Sequence, residues 1–104
     1  MAMKIRFKKI TIVAERVLQE QVVELLKRHQ VSGWTAQSVT GEGSRGLRAS
    51  EWEGSNVQIY TLVPEPLAEA IMADIAEHYF ENWSVVVYSQ DVEVLRPAKY
   101  QQPQ

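Results

Sequence analysis

The residues best suited to chemistry lie in one short run, GEGSRGLR, from Gly41 to Arg48. Glycines free the backbone to aim successive N–H groups at one point, and such a nest holds an anion. Ser44 adds a hydroxyl, while Arg45 and Arg48 add planar guanidinium groups that grip phosphate or carboxylate through paired hydrogen bonds. Their i, i+3 spacing lets one helical turn or a tight loop point both at a single phosphate. Glu42 repels that phosphate unless its side chain turns away. No Lys-Ser/Thr pair follows the last glycine, so the run is not a P-loop, and it does not fit the dinucleotide-binding fingerprint. From residue types alone two readings stand side by side, a flexible surface loop and an anion-binding loop.

The elements on either side must position this run. Residues 9–14 (KITIVA) are β-branched and apolar between charges, which predicts a buried strand. From Arg16 the period changes. Leu18, Val22, Leu25 and Leu26 fall at i, i+4, i+7 and i+8, the stripe of an amphipathic helix to about His29. Ser32-Gly33 ends that unit, and residues 34–39 (WTAQSV) predict a second strand. The next sixteen residues, 40–55, have no usable period and hold four of the five glycines. Connections beyond about 12–15 residues are uncommon in compact domains unless they function or stay disordered. Residues 56–63 (NVQIYTLV) alternate as a third strand, closed by Pro64. Pro66 suits a helix start, and Leu67, Ile71, Ile75 and Tyr79 form an apolar stripe to about Phe80. Residues 84–88 and 92–95 supply the last strand, bent near Gln90-Asp91. The polar stretch from Arg96 reads as a mobile tail, so the domain is set at 1–96 and the tail at 97–104. The order β-α-β-β-α-β predicts an α+β, ferredoxin-like fold, a four-stranded antiparallel sheet with two helices on one face. Trp34, Tyr60 and Val86 are expected on the other face, which a closed cyclic oligomer would cover.

Composition narrows the function classes. A chain of 104 residues, 45% hydrophobic, is one globular domain. Without cysteine it has no disulfide framework, thiolate metal site, cysteine nucleophile or haem attachment motif. Its apolar runs are too short for a transmembrane helix, and the basic start MAMKIRFKK lacks the apolar stretch of a signal peptide, so a cytoplasmic location without membrane insertion is expected. The formal charge is −2, too low for a general nucleic-acid coat. It is unevenly spread: residues 1–48 carry nine basic and four acidic side chains, and residues 49–104 two basic and nine acidic, for +5 and −7. Such a split marks an anion-binding face or subunits meeting head to flank.

Other polar and aromatic residues read more plainly. Asp74, Glu77, His78 and Glu81 are spaced to reach one metal, but a solvated acidic helix face is the simpler reading, and no metal is expected. His29 follows Lys27-Arg28 where a cation complements a helix dipole. Lys4, Arg6, Lys8 and Lys9 suit a solvated edge that discourages aggregation. Trp34 and Trp83 read as core or subunit packing. Trp52, among glutamates in the long loop, suits a protein-partner anchor. No nucleophile, base and orienting group form a set, so binding fits better than turnover.

Several stretches carry a family resemblance: ITIVAERVL (Ile10 to Leu18), SGW (Ser32 to Trp34), GEGSRGLRAS (Gly41 to Ser50), SNVQIYTLV and VVVYSQDVEVL. Together they resemble the PII-like signalling proteins, in particular the SbtB-type and carboxysome-associated branch, whose T-loop base is similar to Gly-x-Gly-Ser-Arg-x-x-Arg. The resemblance implies a homotrimer with three clefts between subunits, each holding an adenine nucleotide: ADP or AMP, with ATP and cyclic AMP as further candidates. It places Gly41, Gly43, Ser44, Arg45 and Arg48 at the phosphates, Leu62, Val63, Val87 and Tyr88 as cleft walls, and bicarbonate on Ser44, Arg45 and Arg48. A ligand-ordered loop would then signal inorganic-carbon or energy status to a partner protein, a bicarbonate transporter or a carboxysome or carbon-fixation component. Nucleic acid is not an expected partner. Glu42 replaces a frequent lysine and shifts the expected preference to ADP or AMP. The cysteine-containing redox loop of cyanobacterial relatives has no counterpart. Two rival readings on the same fold are an acylphosphatase-like enzyme using Arg16 and Asn56, and a trimeric metal-tolerance-like protein.

Overall fold

A computed structural model describes residues 2–40 and 56–97. Its elements are β1 (Ala2–Glu15), a 3₁₀ turn (Arg16–Leu18), α1 (Gln19–Arg28), β2 (Thr35–Val39), β3 (Asn56–Val63), α2 (Glu65–Tyr79) and β4 (Val86–Pro97). The strands form one antiparallel sheet in the order β2-β3-β1-β4. This is the expected β-α-β-β-α-β arrangement, with both helices on one face.

Alternation along the strands divides the two faces. Ile10, Ile12 and Ala14 of β1 and Val57, Ile59 and Val63 of β3 point to the helices and are buried. They meet Leu18, Val22, Leu25 and Leu26 from the first helical unit and Ala68, Ile71, Ile75 and Tyr79 from α2 in one core. The predicted helical stripes are therefore the buried ones. On the uncovered face lie Lys9, Thr11 and Val13 of β1, beside Tyr60 of β3 and Tyr88 and Val86 of β4.

The helix ends follow from local backbone chemistry. α1 closes in a Schellman motif: Gln30 N–H reaches Lys27 O at 2.9 Å and Val31 N–H reaches Leu26 O at 3.4 Å. Gln30 takes the left-handed conformation this closure needs, with φ 62°, where glycine is the usual residue. Val31 packs onto the core beside the helix it ends. At α2, Pro64 ends β3 and caps the helix, accepting the Ala68 N–H at 3.0 Å, and Pro66 sits in the first turn, where its missing N–H costs nothing.

Four expectations need correction. β1 is far longer than residues 9–14, because residues 2–7 pair with β4 beyond the end of β3. β4 is one continuous strand from 86 to 97 rather than two pieces bent near Gln90-Asp91, since β1 pairs along its whole length; Pro97 thus belongs to the strand. Trp34 lies on the helix side, against α1, sharing its parity with half-buried Ala36. Lys4, Arg6, Lys8 and Lys9 are not one solvated edge: Lys9 falls on the opposite face from the other three, and every one of the four pairs with β4.

Candidate functional site

The run from Gly41 to Arg48 leaves the sheet at one end. β2 stops at Val39 and β3 starts at Asn56, and these two residues face each other in the ladder. The segment between them is thus anchored on adjacent strands. Asn56 also faces Glu15, the last residue of β1. The same end carries the 3₁₀ turn with exposed Arg16 and Val17, and residues 80–85 between α2 and β4, with exposed Phe80. Gly41, Gly43, Ser44, Arg45, Arg48 and Trp52 lie outside the described residues. What is described is their footing, a strand end held in register by β1.

The four expected wall residues do not form one wall within a protomer. Val63 is fully buried in the core and Val87 packs against that core from the helix side. Half-buried Leu62 and exposed Tyr88 lie on the uncovered face. The parity of Val63 with Val57 and Ile59 was readable from the alternation of β3. That of Val87 was not, because VVV offers no polar residue to set the phase.

Leu62 and Tyr88 flank a cluster that residue types alone did not reveal. In the sheet ladder Thr11 faces Tyr60 on one side and Tyr88 on the other, and Lys9 faces Leu62 and Gln90. The Lys9 ammonium stands 4.5 Å from the centre of the Tyr60 ring, a cation–π contact. Thr11 is wholly buried between the two tyrosines, and its hydroxyl has no hydrogen-bond partner in the protomer.

On the helical side, Asp74 joins two elements. One carboxylate oxygen lies 2.8 Å from His29 Nε2 at the end of α1, and the other 2.7 Å from His78 Nδ1 one turn further along α2. Asp74 is thus a half-buried bridge rather than part of a solvated acidic face, and His29 holds α1 to α2 as well as ending α1. Among the described residues no group of three His, Cys, Asp or Glu side chains could hold a metal ion. Burial pushes the Tyr79 hydroxyl above its ordinary pKa. At the exposed ribbon, the hydrogen bond between Lys8 and Asp91, 2.6 Å long, raises the lysine and lowers the carboxylate. No helix of the described residues is long and apolar enough to cross a membrane.

Residues 7–99 match the family model described as nitrogen regulatory protein P-II. Among solved structures, the chain is similar to a protein from Thermus thermophilus described as a PII-like signalling protein. The identity is 40%, covering 88% of this chain and 91% of that one, with a TM-score of 0.76. It is also similar to CPII, a nitrogen regulatory PII-like protein from Thiomonas intermedia. CPII bound to ADP, AMP and bicarbonate is 31% identical over 91% of this chain and 99% of that one, with a TM-score of 0.79. For CPII bound to ADP and bicarbonate the figures are 30%, 93%, 96% and 0.80.

Proposed function

We propose that this chain, which belongs to the P-II nitrogen regulatory protein family, is a regulatory sensor of adenine nucleotides and bicarbonate. The observation that carries the reading is the likeness, at about 30% identity over nearly the whole chain, to a protein whose structures hold ADP, AMP and bicarbonate. In this reading Gly41, Gly43, Ser44, Arg45 and Arg48 receive the phosphates, and Ser44, Arg45 and Arg48 receive the bicarbonate. Arginine suits both, since its planar donors match carboxylate and phosphate alike. ADP or AMP is the preferred nucleotide, with ATP and cyclic AMP as competitors. The clefts lie between the subunits of a homotrimer, with Leu62 and Tyr88 on the uncovered face available to line them.

Ligand binding then shifts the population of loop conformations, and the ordered form presents Trp52 to a partner protein. The SbtB-type, carboxysome-associated branch is the assignment that joins bicarbonate to such signalling. A bicarbonate transporter or carbon-fixation component is the corresponding partner, met in the cytoplasm. Isothermal calorimetry tests the reading: ADP or AMP binds, bicarbonate alters that binding, and Arg45→Ala or Arg48→Ala weakens it most. No heat from any adenine nucleotide at millimolar concentration, with or without bicarbonate, would overturn it.

A further inference from the structure

Two strand edges have no neighbour among the described residues. β2 is the outermost strand, and its outer edge over Thr35–Val39 is unpaired. β1 meets β3 only from Lys8 onward, so from Ala2 to Phe7 it is paired on the β4 side alone. Bare edges of this kind present rows of main-chain donors and acceptors that can take an added strand. The two are closely matched in length, five residues against six.

The side chains beside the two edges are complementary. On the helix side the β1 edge carries Lys4 and Arg6. Lys4 faces Leu95 across the ladder and so has no acid opposite; Arg6 faces Glu93. Among the described residues neither cation lies within 4.0 Å of a carboxylate. Beside the β2 edge, also on the helix side, runs a groove of about 350 Å³ between α1 and Trp34. Trp34 is 41% exposed, and Glu20 and Glu24 stand on the rim with Lys27, two negative charges against one. Neither glutamate has an ion-pair partner among the described residues.

We propose that β2 of one copy of this chain adds to the bare Ala2–Phe7 edge of a second copy. The sheet then continues from one protomer into the next with its helix side preserved. Lys4 and Arg6 of the second copy enter the groove of the first, where an indole face and two carboxylates receive a cation. The contact joins different surfaces of the two copies, so its repetition closes into a ring. It rests on the proposed reading that the protein self-associates, and specifies which surfaces meet.

Charge exchange tests it. In sedimentation at micromolar concentration, K4E/R6E raises the dissociation constant of the assembly roughly tenfold or more, and adding E20K/E24K to the same chain restores it. An unchanged assembly in K4E/R6E, or no recovery in the fourfold variant, overturns the proposal. Because the chain has no cysteine, Lys4→Cys and Ser38→Cys give a second test that does not depend on how the charge variants fold. Mixed and oxidised, the two variants cross-link to each other. Dominant Ser38→Cys homodimers, the sign of two β2 edges pairing about a two-fold axis, overturn the proposal. A monomeric wild-type protein overturns self-association and this contact with it, whereas a wild-type oligomer indifferent to the exchange overturns the contact alone.

Discussion

Removing Asp74 separates the two histidine contacts that meet on it. His29 and Asp74 are both mostly shielded, with side chains 21% and 23% exposed, while His78 is 52% exposed. A net hydrogen bond contributes about 0.5–1.5 kcal/mol, more when one partner is ionised, whereas an exposed pair one helical turn apart contributes about 0.3–0.5 kcal/mol. The His29–Asp74 coupling should therefore be about 1.5 kcal/mol and the His78–Asp74 coupling about 0.5 kcal/mol or less. Single-variant losses mix these terms with helix propensity, because alanine is a better helix former than aspartate by a few tenths of a kcal/mol. Double-mutant cycles remove that term. The required variants are Asp74→Ala, His29→Ala, His78→Ala and the two pairs, unfolded in urea at one neutral pH. A single protein concentration is needed, because association would otherwise shift the midpoints. With a urea slope of about 1–3 kcal/mol/M, the larger coupling corresponds to roughly 0.5–1.5 M in midpoint. A coupling to His29 no larger than that to His78 would refute the claim that this bridge ties α1 to α2.

Two further outcomes follow from single residues. Gln30→Gly should stabilise the chain by about 0.5–1 kcal/mol, since a left-handed residue bearing Cβ costs about 1–2 kcal/mol and glycine returns part of that gain as unfolded-state entropy; thermal unfolding should show a rise of several degrees, and a fall would contradict the Schellman closure. Tyr79, whose hydroxyl is held above its ordinary pKa by burial, contributes stability that is complete below about pH 10 and is lost as pH rises through the folded value. Tyr79→Phe should therefore flatten the alkaline limb of a pH–stability profile, and an unchanged limb would place the titrating group elsewhere.

The fold was readable because its elements carry strong periods. Leu18, Val22, Leu25 and Leu26 mark one helix face, and Val57, Ile59, Thr61 and Val63 one strand face, and all eight are buried. The run Gly41 to Arg48 stood out for the opposite reason, having no period and too many glycines for any regular element. Less was readable where the decisive fact is a pairing between distant segments. Nothing near Met3 says that residues 2–7 continue β1, because the partner that holds them there, β4, lies at the far end of the chain (Met3 faces Arg96). Asp74 likewise sits in an acidic stretch that looks solvated until α1 brings His29, 45 residues away, against it. In SVVVY no polar residue sets the phase, so the core-facing position of Val87 had to come from its pairing with Ile12.

That same β1–β4 pairing changes the meaning of the charge split. In sequence the first half carries +5 and the second −7, which invites the idea of one broad cationic surface. The antiparallel register sets the halves against each other: Lys8 faces Asp91 with an ion pair, and Arg6 faces Glu93. Opposite charges facing across a ladder favour the pairing, so much of the asymmetry serves strand register rather than ligand attraction. Lys9 is likewise engaged, over Tyr60. Among the ribbon cations Lys4 alone faces an apolar residue across the ladder, Leu95, and that residue belongs to the bare edge. A phosphate recruited by the first half of the chain must then find its charge at the other end of the sheet, where Val39 and Asn56 anchor the segment bearing Arg45 and Arg48. Reversing Lys4 should consequently disturb assembly, and replacing Arg45 or Arg48 should disturb ligand binding.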